Sequence, residues 1–197
     1  MEHVVITGAD RGIGLALTET FLSHGYTVYA GQFMPDWPEL AKLETRYPER
    51  MHILPLNVGD DQSVREAARL VGSLTRQVDY LINCAGIVTS NKTFDKMTGD
   101  EIVRTMNINT IAPMFVARAM LPGMIARNKG HICTIASAGG MLSNPKMSVY
   151  AASKWGVIGW SDSVRIELQE MKSDVHVTTV APYYINTGMF DGVKSRI

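Results

Sequence analysis

The segment SVYAASKWG (148–156) holds a tyrosine and a lysine four positions apart, Tyr150 and Lys154. On a helix that spacing puts both side chains on one face. A free phenol has a pKa of about 10 and is a poor base near neutrality. A neighbouring ammonium favours the phenolate and lowers that value. Such a pair can move the proton of a C–O group while a hydride moves to or from its carbon. An isolated pair of this kind is equally what an exposed, inert helical contact looks like, so the surroundings must decide. Ser137 lies 13 residues before Tyr150, at the end of the strand-like run GHICTIAS (130–137). Open α/β sheets place ligands at the carboxyl ends of strands. A hydroxyl there can donate to a developing alkoxide, and the small residues of ASAGG leave room for a ligand.

A second cluster opens the chain. TGADRGIG (7–14) sets Gly8, Gly12 and Gly14 between a strand-like run and a helical one. Such a turn must be tight, must let the backbone approach a pyrophosphate and must let the helix pack on the sheet. The helix N-terminus then offers free N–H groups and the positive end of its dipole to the phosphates. The spacing is G-x-x-x-G-x-G rather than the commoner G-x-G-x-x-G, and a glycine turn that serves packing alone is the competing reading. Dinucleotide sites often end the second strand with an acid that holds the adenosine ribose. Here that strand ends AGQFMPDW, with Gln32 near the place and no carboxylate. A 2′-phosphate is therefore not repelled, and Arg11 in the turn can reach one. The balance favours NADP(H) over NAD(H). The plainer alternative keeps Arg11 as a solvated charge and gives the ribose to Gln32 or to backbone.

The elements that must hold these residues alternate. Strand-like runs fall at 3–8, 26–31, 52–58, 78–86, 130–137 and 175–182, with helical patterns between them. The helix at 12–25 is expected to show Ile13, Leu17 and Phe21 on one face, with Gly25 as its stop. A helix from Thr98 carries capping-box spacing in Thr98 and Glu101, and Pro113 is expected to kink it. The active-site helix is expected over 149–171. Strands that are continuously apolar imply a parallel sheet covered on both faces. The expected fold is α/β: a Rossmann-like, doubly wound parallel sheet, three-layer α/β/α, one domain over 1–197.

Composition narrows the function. The chain has 197 residues, enough for one core. Nineteen Lys and Arg balance nineteen Asp and Glu, which argues against a nucleic-acid partner. Cys84 and Cys133 lack metal-ligand spacing and read as reduced, buried thiols; no metal is expected. No signal peptide is evident, and no run of about 18 apolar residues is seen, so no membrane span and a cytoplasmic enzyme are expected. His24, His131 and His176 flank strands and read as surface residues.

TGADRGIG (7–14), NCAG (83–86), NTIA (109–112), Ser137 and YAASK (150–154) occur in one order. In these pieces the chain resembles the short-chain dehydrogenase/reductase family over its whole length. The resemblance implies that Tyr150 is the general acid/base, that Lys154 lowers its pKa and binds the nicotinamide ribose, and that Ser137 orients the substrate carbonyl. It implies that Asn109 holds a water behind Lys154, with Asn107 as the rival for that assignment. It puts Gly8, Gly12 and Ile13 at the pyrophosphate and ribose, Asn57 and Val58 at the adenine, and Asn83, Ala85 and Gly86 beneath the cofactor. Pro182, Ile185 and Thr187 complete the implied cofactor contacts, Thr187 near the carboxamide.

The activity implied is hydride transfer between NAD(P)(H) and a C–OH or C=O group of a small or lipid-like alcohol or ketone. APYYINTGMF (181–190) is similar to the branch acting on retinoids, steroids and other lipid alcohols. A homodimer or homotetramer is implied, with Trp155 and Trp160 facing a partner subunit. Asn57 stands where the family usually has Asp, and Tyr183 where it has Gly. The usual substrate-covering segment and last strand are expected to be absent. A non-catalytic cofactor-binding module and a sugar-nucleotide epimerase or dehydratase are the alternative functions.

Overall fold

The computed structural model describes residues 1–190; residues 191–197, the end of the expected domain, lie outside the described residues. Six strands form the sheet: β1 (His3–Ile6), β2 (Thr27–Gln32), β3 (Met51–Pro55), β4 (Tyr80–Asn83), β5 (Gly130–Ile135) and β6 (Val175–Val180). All neighbours pair in parallel, in the order β3-β2-β1-β4-β5-β6. The helices are α1 (Gly12–Ser23), α2 (Glu39–Arg46), α3 (Asp61–Leu74), α4 (Gly99–Met106), α5 (Ala112–Arg127) and α6 (Ser148–Glu170). The chain winds outward from β1 to β3, then returns to β4 beside β1 and winds the other way. That reversal opens a crevice at the carboxyl ends of β1 and β4. The expected doubly wound fold is the one observed.

Two apolar layers flank the sheet. On one side Val5, Tyr29, Leu81 and Ile132 pack with α3, α5 and α6 through Val64, Val71, Val116, Met124 and Leu168. On the other, Val4, Ile6, Val28 and Ile82 pack with α1 and α2 through Leu22, Leu40 and Leu43. This second layer stops short. Along β5 burial alternates, and along β6 His176, Thr178 and Val180 are exposed. Continuous coverage of both faces was the expectation. Among the described residues, no helix covers the α1/α2 side of β5 and β6, because both helices on that side pack around β1, β2 and β3.

Local signals explain much of the rest. Thr98 and Glu101 form the expected capping box, the Thr98 hydroxyl accepting from Glu101 N at 3.2 Å and the Glu101 carboxylate accepting from Thr98 N at 2.9 Å. Helix α1 packs Leu17 and Phe21 of the expected stripe against the core, and beside that stripe Gly14, Thr18 and Leu22 are fully buried. A Cβ on Gly14 would lie 2.1 Å from the Gly8 carbonyl oxygen. The smallest stripe of the helix must therefore face the glycine turn. The irregularity expected at Pro113 lies just before it, as a π-helical turn over Asn107–Ile111 between α4 and α5. Proline has no N–H to give the Asn109 carbonyl, so the helix widens one turn earlier.

The continuous helical stretch Gly99–Arg127, 29 residues, is long and apolar enough to cross a membrane by length and composition, with 44% of its most apolar window buried. Polar residues such as Asn107, Asn109 and Arg118 interrupt the run, as expected, yet its average is apolar, so length and composition do not by themselves support the expectation of no membrane span. Here α5 packs its Val116, Ala117, Met120 and Met124 into the core.

Candidate active site

The crevice above β1 and β4 holds a cavity of about 660 Å³, a volume within the range of small-molecule and cofactor sites, about 300–1,000 Å³. At one end lie Gly8, Arg11, Gly12 and Ile13; in the middle Asn57, Val58, Ala85 and Gly86; at the other end Ser137, Tyr150 and Lys154, with Pro182, Ile185 and Thr187 across the top. Sequence reasoning named all of these, and the fold brings them together around one space.

Three named residues do not line it. Gln32 is still in β2, in register with Pro55, and Phe33, Met34 and Trp37 line the cavity in its place. Asn83 ends β4 and is 3% exposed, its amide without a hydrogen-bond partner among the described residues. Asn109 lies behind the cavity wall, in the π-helical turn, 1% exposed. Its amide accepts from Ile87 N at 2.8 Å and donates to Ile87 O at 2.9 Å and to the Ser153 hydroxyl at 3.1 Å. It therefore pins the loop after β4 to α6.

The glycine end is bare backbone. Gly8 (φ +65°) has room for no side chain, since a Cβ would lie 2.7 Å from Ala85 Cα. At Gly12 (φ +56°) it would lie 3.0 Å from Thr187 Cβ. The first turn of α1 holds no acid, and Arg11 at its N-cap makes no side-chain cap. The end is therefore shaped and charged for a pyrophosphate, and a dinucleotide fits the residues present. Arg11 is exposed, its guanidinium 5.5 Å from the centre of the Trp37 ring. Asp10, which sequence reasoning missed, is buried and accepts from Phe33 N and Met34 N at 2.9–3.1 Å. It fixes the loop after β2. The Asn57 side chain accepts from Gly59 N at 3.1 Å, holding the turn after β3.

The other end is built from side chains. Tyr150 and Lys154 project together from α6, 7% and 4% exposed. The Lys154 ammonium donates to the Ile135 carbonyl at 3.0 Å and sits 5.8 Å from the Tyr150 ring centre. Ser137 Oγ accepts from Gly139 N at 3.1 Å. A Cβ on Gly139 would touch both the Tyr150 ring and Ser137 Oγ, at 3.3 and 3.4 Å, so the hydroxyl and the phenol share one small space. Burial raises the Tyr150 pKa above its usual value; the Ser137 hydroxyl acts against that rise and Tyr184 adds to it. Burial pulls Lys154 down to about 8. Burial dominates the phenol here, and the Lys154 ammonium lies 5.8 Å from the centre of its ring.

Of the remaining expectations, Cys84 and Cys133 are free and half-buried. Burial pushes the Cys84 thiol up to about 11, which leaves it unreactive. Trp155 is exposed, and Trp160 is partly buried, packed against the core. His131 has a partner, its Nε2 lying 2.7 Å from the Thr178 hydroxyl.

A doubly wound sheet with a glycine turn at its switch point and a buried tyrosine beside a lysine defines a dinucleotide-binding α/β domain. The family model described as short chain dehydrogenase matches residues 2–197, and the chain belongs to that family. It is 33% identical over 215 residues to retinol dehydrogenase 10-B of Danio rerio, covering 98% of this chain and 63% of that one. It is 32% identical over 202 residues to epidermal retinol dehydrogenase 2 of Mus musculus, covering 99% of this chain and 64% of that one. The chain thus spans less than two thirds of the length of these curated relatives. Among solved structures, the closed form of serine dehydrogenase complexed with NADP+ superposes with a TM-score of 0.90 at 26% identity, over 97% of this chain and 76% of that one. A short-chain dehydrogenase from Streptomyces avermitilis gives 0.88 at 28% identity, over 99% and 71%.

Proposed function

We propose that this protein is an NAD(P)(H)-dependent oxidoreductase that interconverts an apolar alcohol and its carbonyl compound. One observation carries the reading: a single cavity joins a glycine turn shaped for a pyrophosphate to a buried Ser137–Tyr150–Lys154 set. A bound nicotinamide supplies or accepts the hydride at the substrate carbon. The protein's own part is the proton. In oxidation the Tyr150 oxygen takes the alcohol proton as the carbon loses its hydride; in reduction the phenol returns that proton to the forming alkoxide. Ser137 holds the substrate oxygen. Lys154 orients the ribose and stabilises the phenolate. Asn109 keeps the β4 loop and α6 in register. The relatives named as retinol dehydrogenases and the apolar side chains near Tyr150 support an apolar substrate.

The preference for NADP(H) rests on Arg11, stacked on Trp37 at the adenosine end, and on the lack of a carboxylate at the end of β2, where Gln32 stands. Asp10 is near, but its oxygens are taken by two backbone N–H groups. The exposed Trp155 is offered as a subunit contact.

The test is a titration of the full chain with NADPH and with NADH, following nicotinamide fluorescence, then turnover with apolar alcohols and ketones. Binding, NADPH the tighter, with turnover lost in Tyr150→Phe, is expected. Binding of neither cofactor, or turnover unchanged in Tyr150→Phe, would remove the reading.

A further inference from the structure

Strand β2 ends in Gln32, without an acid, yet an acid from another part of the chain stands beside that end. Asp10, in the middle of the glycine turn, is 6% exposed and lines the cavity. The turn is seated on β2 by a bond from Ala9 N to Gly31 O, 3.0 Å long. That seat carries the next residue past the end of the strand. There the Asp10 carboxylate accepts from Phe33 N at 3.1 Å (Oδ1) and 3.0 Å (Oδ2), and from Met34 N at 2.9 Å (Oδ1). Phe33 and Met34 line the cavity too and bring no charge to it.

A buried carboxylate is costly unless it is satisfied. Here the two N–H groups satisfy it without cancelling its charge, and among the described residues no cation pairs with it. Its negative charge therefore bears on the cavity that it lines. A carboxylate offers about four lone-pair sites, so two donors leave it able to accept another hydrogen bond. The same two N–H groups, adjacent in the chain and converging on one oxygen, are what an anion-binding concavity is made of. Dinucleotide domains meet the adenosine ribose at the end of the second strand. In this chain an internal anion already occupies that spot.

We propose that Asp10 is a specificity-determining residue for the cofactor: its carboxylate takes the place of the acid that β2 lacks, accepts from a ribose 2′-hydroxyl and repels a 2′-phosphate. The proposal rests on the reading of the glycine end as a dinucleotide site. Arg11, the next residue, pulls the other way, since its guanidinium attracts a 2′-phosphate. The choice between NADPH and NADH is then a difference between two opposed charges on neighbouring residues. Arg11 sets its sign and Asp10 limits its size.

The test titrates the full chain and Asp10→Asn with adenosine 2′,5′-bisphosphate and with adenosine 5′-monophosphate, by calorimetry. The two probes differ only in the 2′-phosphate and do not touch the phenol end. In Asp10→Asn the amide oxygen can still take both N–H groups, as Oδ1 does now. The affinity ratio, bisphosphate over monophosphate, is expected to rise at least about fivefold, and the NADPH-to-NADH ratio with it. Asp10→Ser, which removes the carboxylate and frees both N–H groups for a phosphate, is expected to raise the ratio as well. A residue that only fixes the loop would weaken both probes alike and leave the ratio where it was. That result, or a lowered ratio, would overturn the proposal. Far-UV circular dichroism checks that each variant is folded. Binding of neither probe by any of these proteins would remove the dinucleotide site and the proposal with it. Turnover that does not depend on Tyr150 would remove the oxidoreductase reading and leave the ratio untouched, so the two failures are separable.

Discussion

The two ends of the long cavity are made of different materials. At the glycine end the chemistry is backbone: Gly8 and Gly14 leave no space for a Cβ and Gly12 little, and the first residues of α1 line the cavity. At the phenol end the chemistry is side chain: a hydroxyl, a phenol and an ammonium, buried and mutually placed. The difference predicts a separation of effects. Damage to the first end should cost cofactor affinity, and damage to the second should cost turnover with affinity kept.

The largest effect belongs to the phenol. Tyr150→Phe keeps the ring that packs on Phe190 and Gly139 and removes the proton carrier. General acid/base groups contribute about a hundred- to ten-thousandfold, and kcat/KM should fall by that much. NADPH affinity should stay within about twofold if the hydroxyl acts in catalysis alone. A large loss of affinity in this variant would erase the contrast between the two ends.

Gly14→Ala is the matching change at the other end. In an ordinary helix interior the substitution stabilises by about 0.5–1 kcal/mol. Here the new Cβ would lie 2.1 Å from the Gly8 carbonyl, so α1 must move off the turn. Overpacking of this sort costs about 1–3 kcal/mol. The urea midpoint should drop and NADPH should bind about tenfold more weakly or worse, with little change in the turnover of whatever complex still forms. A more stable variant with unchanged affinity would mean that the turn is not held as the structure has it.

The parts of the site legible in the sequence were those written locally. The turn TGADRGIG, the four-residue step from Tyr150 to Lys154 and the Thr98 capping box each lie within one or two turns of chain. The parts that were not legible depend on distant neighbours. Gln32 stood at the right sequence distance, yet the strand continued through it and the next residues reached the cavity. Helix α1 showed its larger residues as a stripe, and Leu17 and Phe21 do reach the core, but the close approach of Gly14 to Gly8 puts the neighbouring Gly14–Thr18–Leu22 stripe deepest. The run GHICTI looked continuously apolar, though His131, Cys133 and Ile135 share a face that is only partly buried, Cys133 and Ile135 lying at the edge of the α1/α2 layer. Pro113 signalled an irregularity but not its form or place: a proline leaves the carbonyl four residues back, that of Asn109, without its donor, and the helix widens there. The edge-on contact of Phe190 with Tyr150, 5.9 Å between ring centres, had no local signal at all.

A smaller effect sharpens the contrast through pH. Lys154 titrates at about 8 in the folded chain against 10.5 for a free lysine. Between those values the unfolded chain holds a proton that the native chain has shed, so stability rises with pH across that window. Below about 8 both states are charged and the burial penalty is present in full. Urea midpoints of the unaltered chain should therefore rise from pH 7.5 toward about pH 10 relative to those of Lys154→Met, in which this contribution is gone. Parallel curves for the two proteins would show that the ammonium is not dry, and the phenol end would lose its defining feature.

The smallest effect tests whether the glycine end also has a side-chain component. Arg11 is exposed, and among the described residues its side chain is held by stacking on Trp37. Exposed charge contacts are weak and screened by salt. Arg11→Ala should weaken NADPH by about three- to tenfold at low ionic strength, less in high salt, and should leave NADH unchanged, because only the 2′-phosphate needs the cation. Trp37→Ala should produce a fraction of the same loss, since it frees the guanidinium without removing it. Equal losses for NADPH and NADH would place Arg11 on the pyrophosphate instead. The glycine end would then recognise a dinucleotide without reading its ribose, and the choice between the two cofactors would have to come from Phe33, Met34 and the loop that Asp10 fixes.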